Sequence, residues 1–204
     1  MVAFTLMNGS LVFVYEDYGD DADFSLLAGL GQHIRKTLRK GTLRFCISET
    51  CGLTEIPEAY QEAVRIQKIS EKCGIEGTFI TFEQLGVLSV LSLLPENKSI
   101  HRFKNKLLEP LKEYDAQHHT NLRETLETYL STRCNAKLTS ERMFAHYNTV
   151  IYRLERIREI GSFDLDDAEQ ILQLQIALKM DALHPLKPEP ARKDRREQRL
   201  GSGH

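Results

Sequence analysis

The side chains best suited to directed chemistry lie in one run, His146-Tyr-Asn-Thr-Val-Ile-Tyr-Arg-Leu-Glu-Arg-Ile157. Wound as a helix at about 100° per residue, it puts Val150, Leu154 and Ile157 on one side, with Ile151 and Ile160 at the edges. Thr149, Tyr152, Arg153 and Arg156 share a second arc, and Glu155 and Glu159 fall at its border or beyond. A helix with an apolar stripe and a separate hydroxyl-and-guanidinium stripe can seat itself on a core and still offer a face to nucleic acid. Arginine donates two hydrogen bonds to guanine or grips phosphate, and Tyr and Thr add hydroxyls and apolar contact with thymine methyl groups. Asn148 is the expected N-cap, which would leave backbone N–H groups aimed at a phosphate. The same periodicity also suits an ordinary charged surface helix, so the pattern by itself leaves both readings open.

Other constellations are sparse. His118-His119 beside Asp115 reads as a polar helix junction, since no further ligands stand at metal spacing. His146 reads as a structural hydrogen-bonding residue at a turn. Cys46, Cys51, Cys73 and Cys134 form no CxxC pair and are expected as reduced thiols. There is no GxxxxGK phosphate loop and no GxSxG elbow. Asp17, Asp20, Asp21 and Asp23 read as a solvated acidic loop. No metal or cofactor is expected.

Two kinds of element must carry these residues. Positions 1–94 mix strands and helices. Two β-prone runs flank Asn8-Gly9, a pair that supplies the positive φ of a tight hairpin. Leu26, Leu27, Leu30, Ile34 and Leu38 predict a helix from about Asp23 to Lys40. "LRFCIS" and "TFITF" read as strands. Between them a helix should run from Pro57 to Cys73, with Gly74 just past its end, and "EQLGVLSVLSLL" should form a short apolar helix. This alternation predicts one sheet with helices packed on it. Residues 95–103 read as a polar linker opened by Pro95.

From 104 to 184 no strand is expected. Helices are predicted at 104–117, 120–133, 138–145, 148–160 and 167–183, the last opened by Asp166 with Glu169 at capping-box spacing. Ser140, Met143 and Phe144 should form one face of the third, the small Ser140 letting the next helix cross closely. Two short helices joined by a tight turn make a helix-turn-helix. Ile171 to Met180 is apolar nearly all round, so that helix should be buried or pack against a second subunit.

Composition sets limits. Hydrophobic residues make up 41% of the 204, enough for a packed core, and the net charge is −2, so any nucleic-acid surface must be a local patch. No apolar run reaches the roughly 18 residues of a membrane span, and no basic-then-apolar leader opens the chain; a cytoplasmic protein is expected. Residues 185–204 read as a disordered tail ending in a cloning scar. Lys187, Arg192, Lys193, Arg195, Arg196 and Arg199 there are either plainly solvated or touch phosphates nonspecifically.

Several motifs together carry a family resemblance. Leu-x-Pro-Leu-x-x-Tyr-Asp (Leu108 to Asp115), Leu-x-x-Tyr-Leu (Leu126 to Leu130), His-x-Asn-Thr-Val-x-Tyr-Arg-Leu (His146 to Leu154) and Leu-Gln-x-Ala-Leu-Lys (Leu174 to Lys179) resemble the C-terminal helix-turn-helix domain of PucR/CdaR-type bacterial transcriptional regulators. The resemblance implies double-stranded DNA as partner, a homodimer, and a reading surface on the Asn148–Arg156 face. The contact set it suggests is Arg142, Tyr147, Asn148, Thr149, Tyr152, Arg153 and Arg156. The chain departs from the family at three places: Lys137 stands where Thr or Ser usually caps the first short helix, Ser140 replaces alanine, and Tyr147 takes an often basic position.

The N-terminal half is similar to the degenerate GGDEF-like domain of such regulators, through Tyr60, Glu62, Ala63 and Phe82-Glu83-x-Leu85-Gly86. The implied fold class is α+β: a GGDEF-like sheet-and-helix domain followed by an all-α helix-turn-helix bundle. Cyclases hold Mg²⁺ on hairpin carboxylates. The matching turn here, Asn8 to Val12, has none, so no enzyme activity is expected. A full cyclase-like fold would have elements before the hairpin. The chain is therefore expected to be a fragment of a longer regulator, with an unknown small-molecule effector sensed upstream, or else a truncated fold completed by a partner. Two rival readings are a protein-interaction or dimerisation module without sequence-specific DNA binding, and an enzyme with a cryptic nucleotide site.

Overall fold

The computed structural model describes residues 2–7, 10–15, 22–37 and 43–184. The Asn8-Gly9 turn, the acidic loop with the Asp23 side chain, and the tail from 185 lie outside the described residues. The chain divides into two units, Met1–Ser89 and Val90–His204.

In the first unit, β1 (Val2–Met7) and β2 (Ser10–Tyr15) pair antiparallel from Val2↔Tyr15 to Met7↔Ser10. Helix α1 (Ala22–Thr37) follows. Strands β3 (Phe45–Ile47) and β4 (Phe79–Thr81) pair parallel in the register Phe45↔Phe79, and the two phenylalanine rings stack at 5.1 Å. A parallel pair needs a crossover, and α2 (Ile56–Lys72) supplies it. Pro57 sits in its first turn, and Gly74 takes φ 61 just beyond its end, as the sequence predicts. The expected single sheet is not found: among the described residues the strands form two separate two-stranded sheets. β3 and β4 contribute only three ladder residues each, and no described strand bridges the pairs. The expected "EQLGVLSVLSLL" helix is also shorter. Gly86, at φ 55, breaks it, leaving a single turn at Glu83–Leu85 and helix α3 at Val87–Leu91.

The second unit is all helix: α4 (Lys98–His118), α5 (Leu122–Ser131), α6 (Ala136–Arg142), α7 (Tyr147–Gly161) and α8 (Ala168–Leu183). The expected linker at 95–103 is mostly the start of α4. Asn97 accepts hydrogen bonds from the Ser99 and Ile100 backbone amides, which starts the helix several residues before the predicted position. α4 ends in a left-handed His119 at φ 52. Its Asp115 carboxylate then reaches forward to accept from the Thr120 hydroxyl at 2.6 Å, Leu122 N at 2.7 Å and Arg123 N at 2.9 Å. The first amides of α5 are thus capped by a residue of the preceding helix. At α8 the cap is Asp167, accepting from Glu169 N at 3.0 Å, in place of the expected Asp166.

The core gathers Leu107, Leu108 and Leu111 of α4, Leu122, Leu126, Tyr129 and Leu130 of α5, the α7 stripe Val150–Leu154–Ile157, and Leu174, Ala177 and Leu178 of α8. The predicted apolar stripe of α7 is thus the buried one, with Ile151 and Ile160 half-buried at its edges. Helix α8 keeps Leu172 47% exposed, within the expectation that it is buried or packs against a second subunit. Buried charge accompanies this core. Lys104 is fully buried, with its ammonium donating to the His184 carbonyl. Asp181, also buried, pairs with Lys112 at 3.1 Å and Arg123 at 2.8 Å.

Replacing Asp115 with alanine should cost about 2 kcal/mol, because several acceptors at the α5 N-terminus disappear together; the urea midpoint of the second unit measures it. Burial pushes the Lys104 pKa below its ordinary 10.5, with Asp181 and Glu96 pulling back the other way. As pH falls below that ordinary value, the unfolded chain takes up this proton before the folded chain does, and stability falls. Relative to Lys104→Met, the unaltered chain should therefore gain stability as pH rises toward 10.5, read by urea unfolding at each pH.

Candidate nucleic-acid interface

The α6–α7 pair is built from its caps outward. Asn135 caps α6, its side chain accepting from Lys137 N and Leu138 N, both at 3.0 Å. The capping role that the sequence comparison put at Lys137 is filled two residues earlier, so the lysine side chain is left exposed. Thr139 and Ser140 are buried. Thr139 donates to the Asn135 carbonyl at 2.7 Å and shares a hydrogen bond with Thr132 at 2.7 Å, while Ser140 donates to the Lys137 carbonyl at 2.7 Å. The small inward side of α6 lies against α7, as Ser140 suggested.

Phe144 does not join that face. α6 ends at Arg142, the chain turns left-handed at Phe144 (φ 50), and the ring is 98% exposed. A bulky residue rarely adopts this backbone region, and the reversal of direction swings its side chain off the helix face. The cap of α7 is His146, whose Nδ1 accepts from Asn148 N at 3.3 Å. Asn148, expected as the cap, instead lies in the first turn. Its carboxamide is spared for other partners.

The site residues separate into two groups. Arg142, Tyr147, Asn148, Thr149 and Tyr152 are exposed, with Tyr147 at 48% and Tyr152 at 58%. Arg153 and Arg156 turn back toward the bundle. Arg153 is half-buried, with Nη1 3.4 Å from the Thr125 hydroxyl. Arg156 donates to the Tyr114 hydroxyl at 3.2 Å, lies over that ring at 5.3 Å, and donates to Glu159. The outermost stripe of α7 is Asn148, Tyr152, Glu155 and Glu159. It is polar and neutral in the first two turns and acidic beyond, so Glu155 and Glu159 lie on the outward face and not at its border. Two exposed cations outside the predicted set, Arg133 at the α5–α6 turn and Lys137, flank α6. A wheel drawn on α7 alone could not reveal them, because they belong to α6 and the turn before it. The His118-His119 pair divides its roles: the His118 ring packs at a tilt of 38° against Tyr114 at 4.2 Å, and His119 terminates α4.

Residues 122–180 match the PucR C-terminal helix-turn-helix domain. The chain is similar to the purine catabolism regulatory protein of Bacillus subtilis, 34% identical over 145 residues, which cover 71% of this chain and 27% of that protein. It is similar to the DNA-binding transcriptional activator AdeR of the same organism, 31% identical over 130 residues, 63% of this chain and 31% of the activator. It also resembles the carbohydrate diacid regulator of Escherichia coli, 35% identical over 154 residues, 74% of this chain and 39% of the regulator. The chain thus spans between about a quarter and two-fifths of the length of these relatives.

The two groups of side chains should respond differently to truncation. Tyr152→Ala should leave stability within about 0.5 kcal/mol, as for other exposed positions. Arg156→Ala should lower the unfolding temperature measurably, through the lost hydrogen bond to Tyr114 and the ring contact. Thermal unfolding of both variants is the check.

Proposed function

We propose, from the match of residues 122–180 to the PucR C-terminal helix-turn-helix domain, that the chain is part of a bacterial transcriptional regulator that binds double-stranded DNA through α6 and α7. The observation that carries this reading is the exposed, uncharged set Tyr147, Asn148, Thr149 and Tyr152 at the capped start of a helix whose opposite stripe is buried. In the major groove such a set meets base edges, while Arg142, with Arg133 and Lys137, meets phosphates. Arg153 lies at the margin of this surface, and Arg156 orients α7 on α4. The regulator acts as a homodimer, so that two copies of α7 meet half-sites about one turn of DNA apart.

The relatives named for purine catabolism and carbohydrate diacids support a metabolite-responsive role for the whole cytoplasmic protein, with the effector sensed outside this chain. The first unit is read as a degenerate GGDEF-like domain without cyclase chemistry, because Asn8 to Val12 carries no carboxylate to hold a divalent cation. The exposed Phe144 favours one second reading, a protein-interaction module whose bundle only mediates assembly.

The deciding experiment is a titration of the full chain on promoter duplex from beside its own gene, across salt. Tight binding that weakens steeply with salt is expected, and Arg142→Ala should reduce the logarithmic salt slope by about one. A chain that shows no duplex binding while remaining dimeric would instead support the interaction module.

A further inference from the structure

The side chains that α7 can bring to base edges share one chemistry. Selection of guanine relies most often on arginine or lysine donating to O6 and N7. Each arginine of α7 is otherwise engaged: Arg156 on Tyr114 and Glu159, Arg158 on Asp166 at 3.1 Å, and Arg153 turned toward Thr125. The exposed cations Arg133, Lys137 and Arg142 belong to α6 and its flanks. In a helix-turn-helix that element crosses the sugar-phosphate backbone.

What remains on the first two turns of α7 is Tyr147, Asn148, Thr149 and Tyr152. A carboxamide both donates and accepts, which matches adenine N6–H and N7. The threonine methyl and the tyrosine rings suit the thymine C5 methyl group. Beyond Tyr152 the outward face turns to Glu155 and Glu159. Their carboxylates repel the phosphate walls and limit how much of the helix can enter.

Building on the proposal that α7 reads DNA, we propose that it selects a short A·T core in each half-site, with Asn148 reading adenine and Thr149 with the tyrosines reading thymine methyl groups. Asn148 is the specificity-determining residue, and it is free for that role because His146 and not Asn148 caps the helix.

The test is selection of bound duplexes from a randomised pool by the full chain, followed by base-analogue substitution in the selected site. A·T pairs are expected at the core. 7-Deazaadenine, which removes N7 from the major groove, should weaken binding about tenfold at the adenine that Asn148 reads. Uracil in place of thymine should weaken it at the neighbouring positions. In Asn148→Ala the unmodified site should bind about tenfold more weakly, and the 7-deazaadenine penalty should vanish. A G·C pair selected in the core and lost in Arg153→Ala or Glu155→Gln would overturn the assignment. So would A·T selection indifferent to both analogues, which would mean that groove shape is being read. Duplex binding with no base selection would overturn this inference and leave the DNA-binding role standing. Absence of any duplex binding would remove both.

Discussion

The second unit depends on the junction where α4 hands the chain to α5. α4 runs for 21 residues and stops at a left-handed His119, and three residues later α5 begins. So tight a reversal leaves the first amides of α5 without a local side-chain cap, since Asn121 makes no such bond. Asp115 fills the gap from the end of α4. One carboxylate therefore holds the relative direction of two helices. α5 in turn is the surface on which α7 lies, through Leu126, Val150 and Leu154. Adjacent to Asp115, Tyr114 holds Arg156 of α7. Two consecutive residues of α4 thus position both the floor of the motif and its outer helix.

This arrangement explains why polarity on α7 is a poor guide to what meets a ligand. The helix has more polar residues than its exposed face can use. Arg153 and Arg156 are long enough to reach sideways along the bundle, to the Thr125 hydroxyl and to the Tyr114 hydroxyl and ring. Shorter side chains cannot reach back. Asn148 and Thr149 therefore stay where the backbone puts them, and Tyr147 and Tyr152 also remain exposed. The division into anchoring and presenting residues follows from side-chain length as much as from position on the wheel.

A second layer of organisation lies on the far side of the bundle, where α4 meets α8. Lys104 is buried against the end of α8, and Asp181 ties α8 to both α4 and α5 through Lys112 and Arg123. A charged cluster of this kind need not add net stability. It does select one register of α8 on its neighbours, because sliding the helix would leave Asp181 among apolar groups with no cation in reach. The apolar surface of α8, from Ile171 to Met180, would tolerate several registers by itself.

Periodicity in the sequence was enough to determine the helices of the second unit to within a few residues, apart from the start of α4, together with the buried stripe Val150–Leu154–Ile157 and the Pro57-to-Gly74 limits of α2. These are local: they follow from helical repeat, from the fixed φ of proline and from the positive φ that glycine accepts. Tertiary structure decided the rest. It moved the cap of α7 from Asn148 to His146 and that of α8 from Asp166 to Asp167, and it turned Phe144 outward. It also drew Arg153 and Arg156 back to α5 and α4, carried α4 into the expected linker, and kept the four strands as two separate pairs among the described residues. Each of these depends on a partner distant in the chain or on the direction the backbone takes at a turn. A helical wheel has neither: it gives the angle at which a side chain leaves its helix, and only the neighbouring helices determine where a long side chain ends.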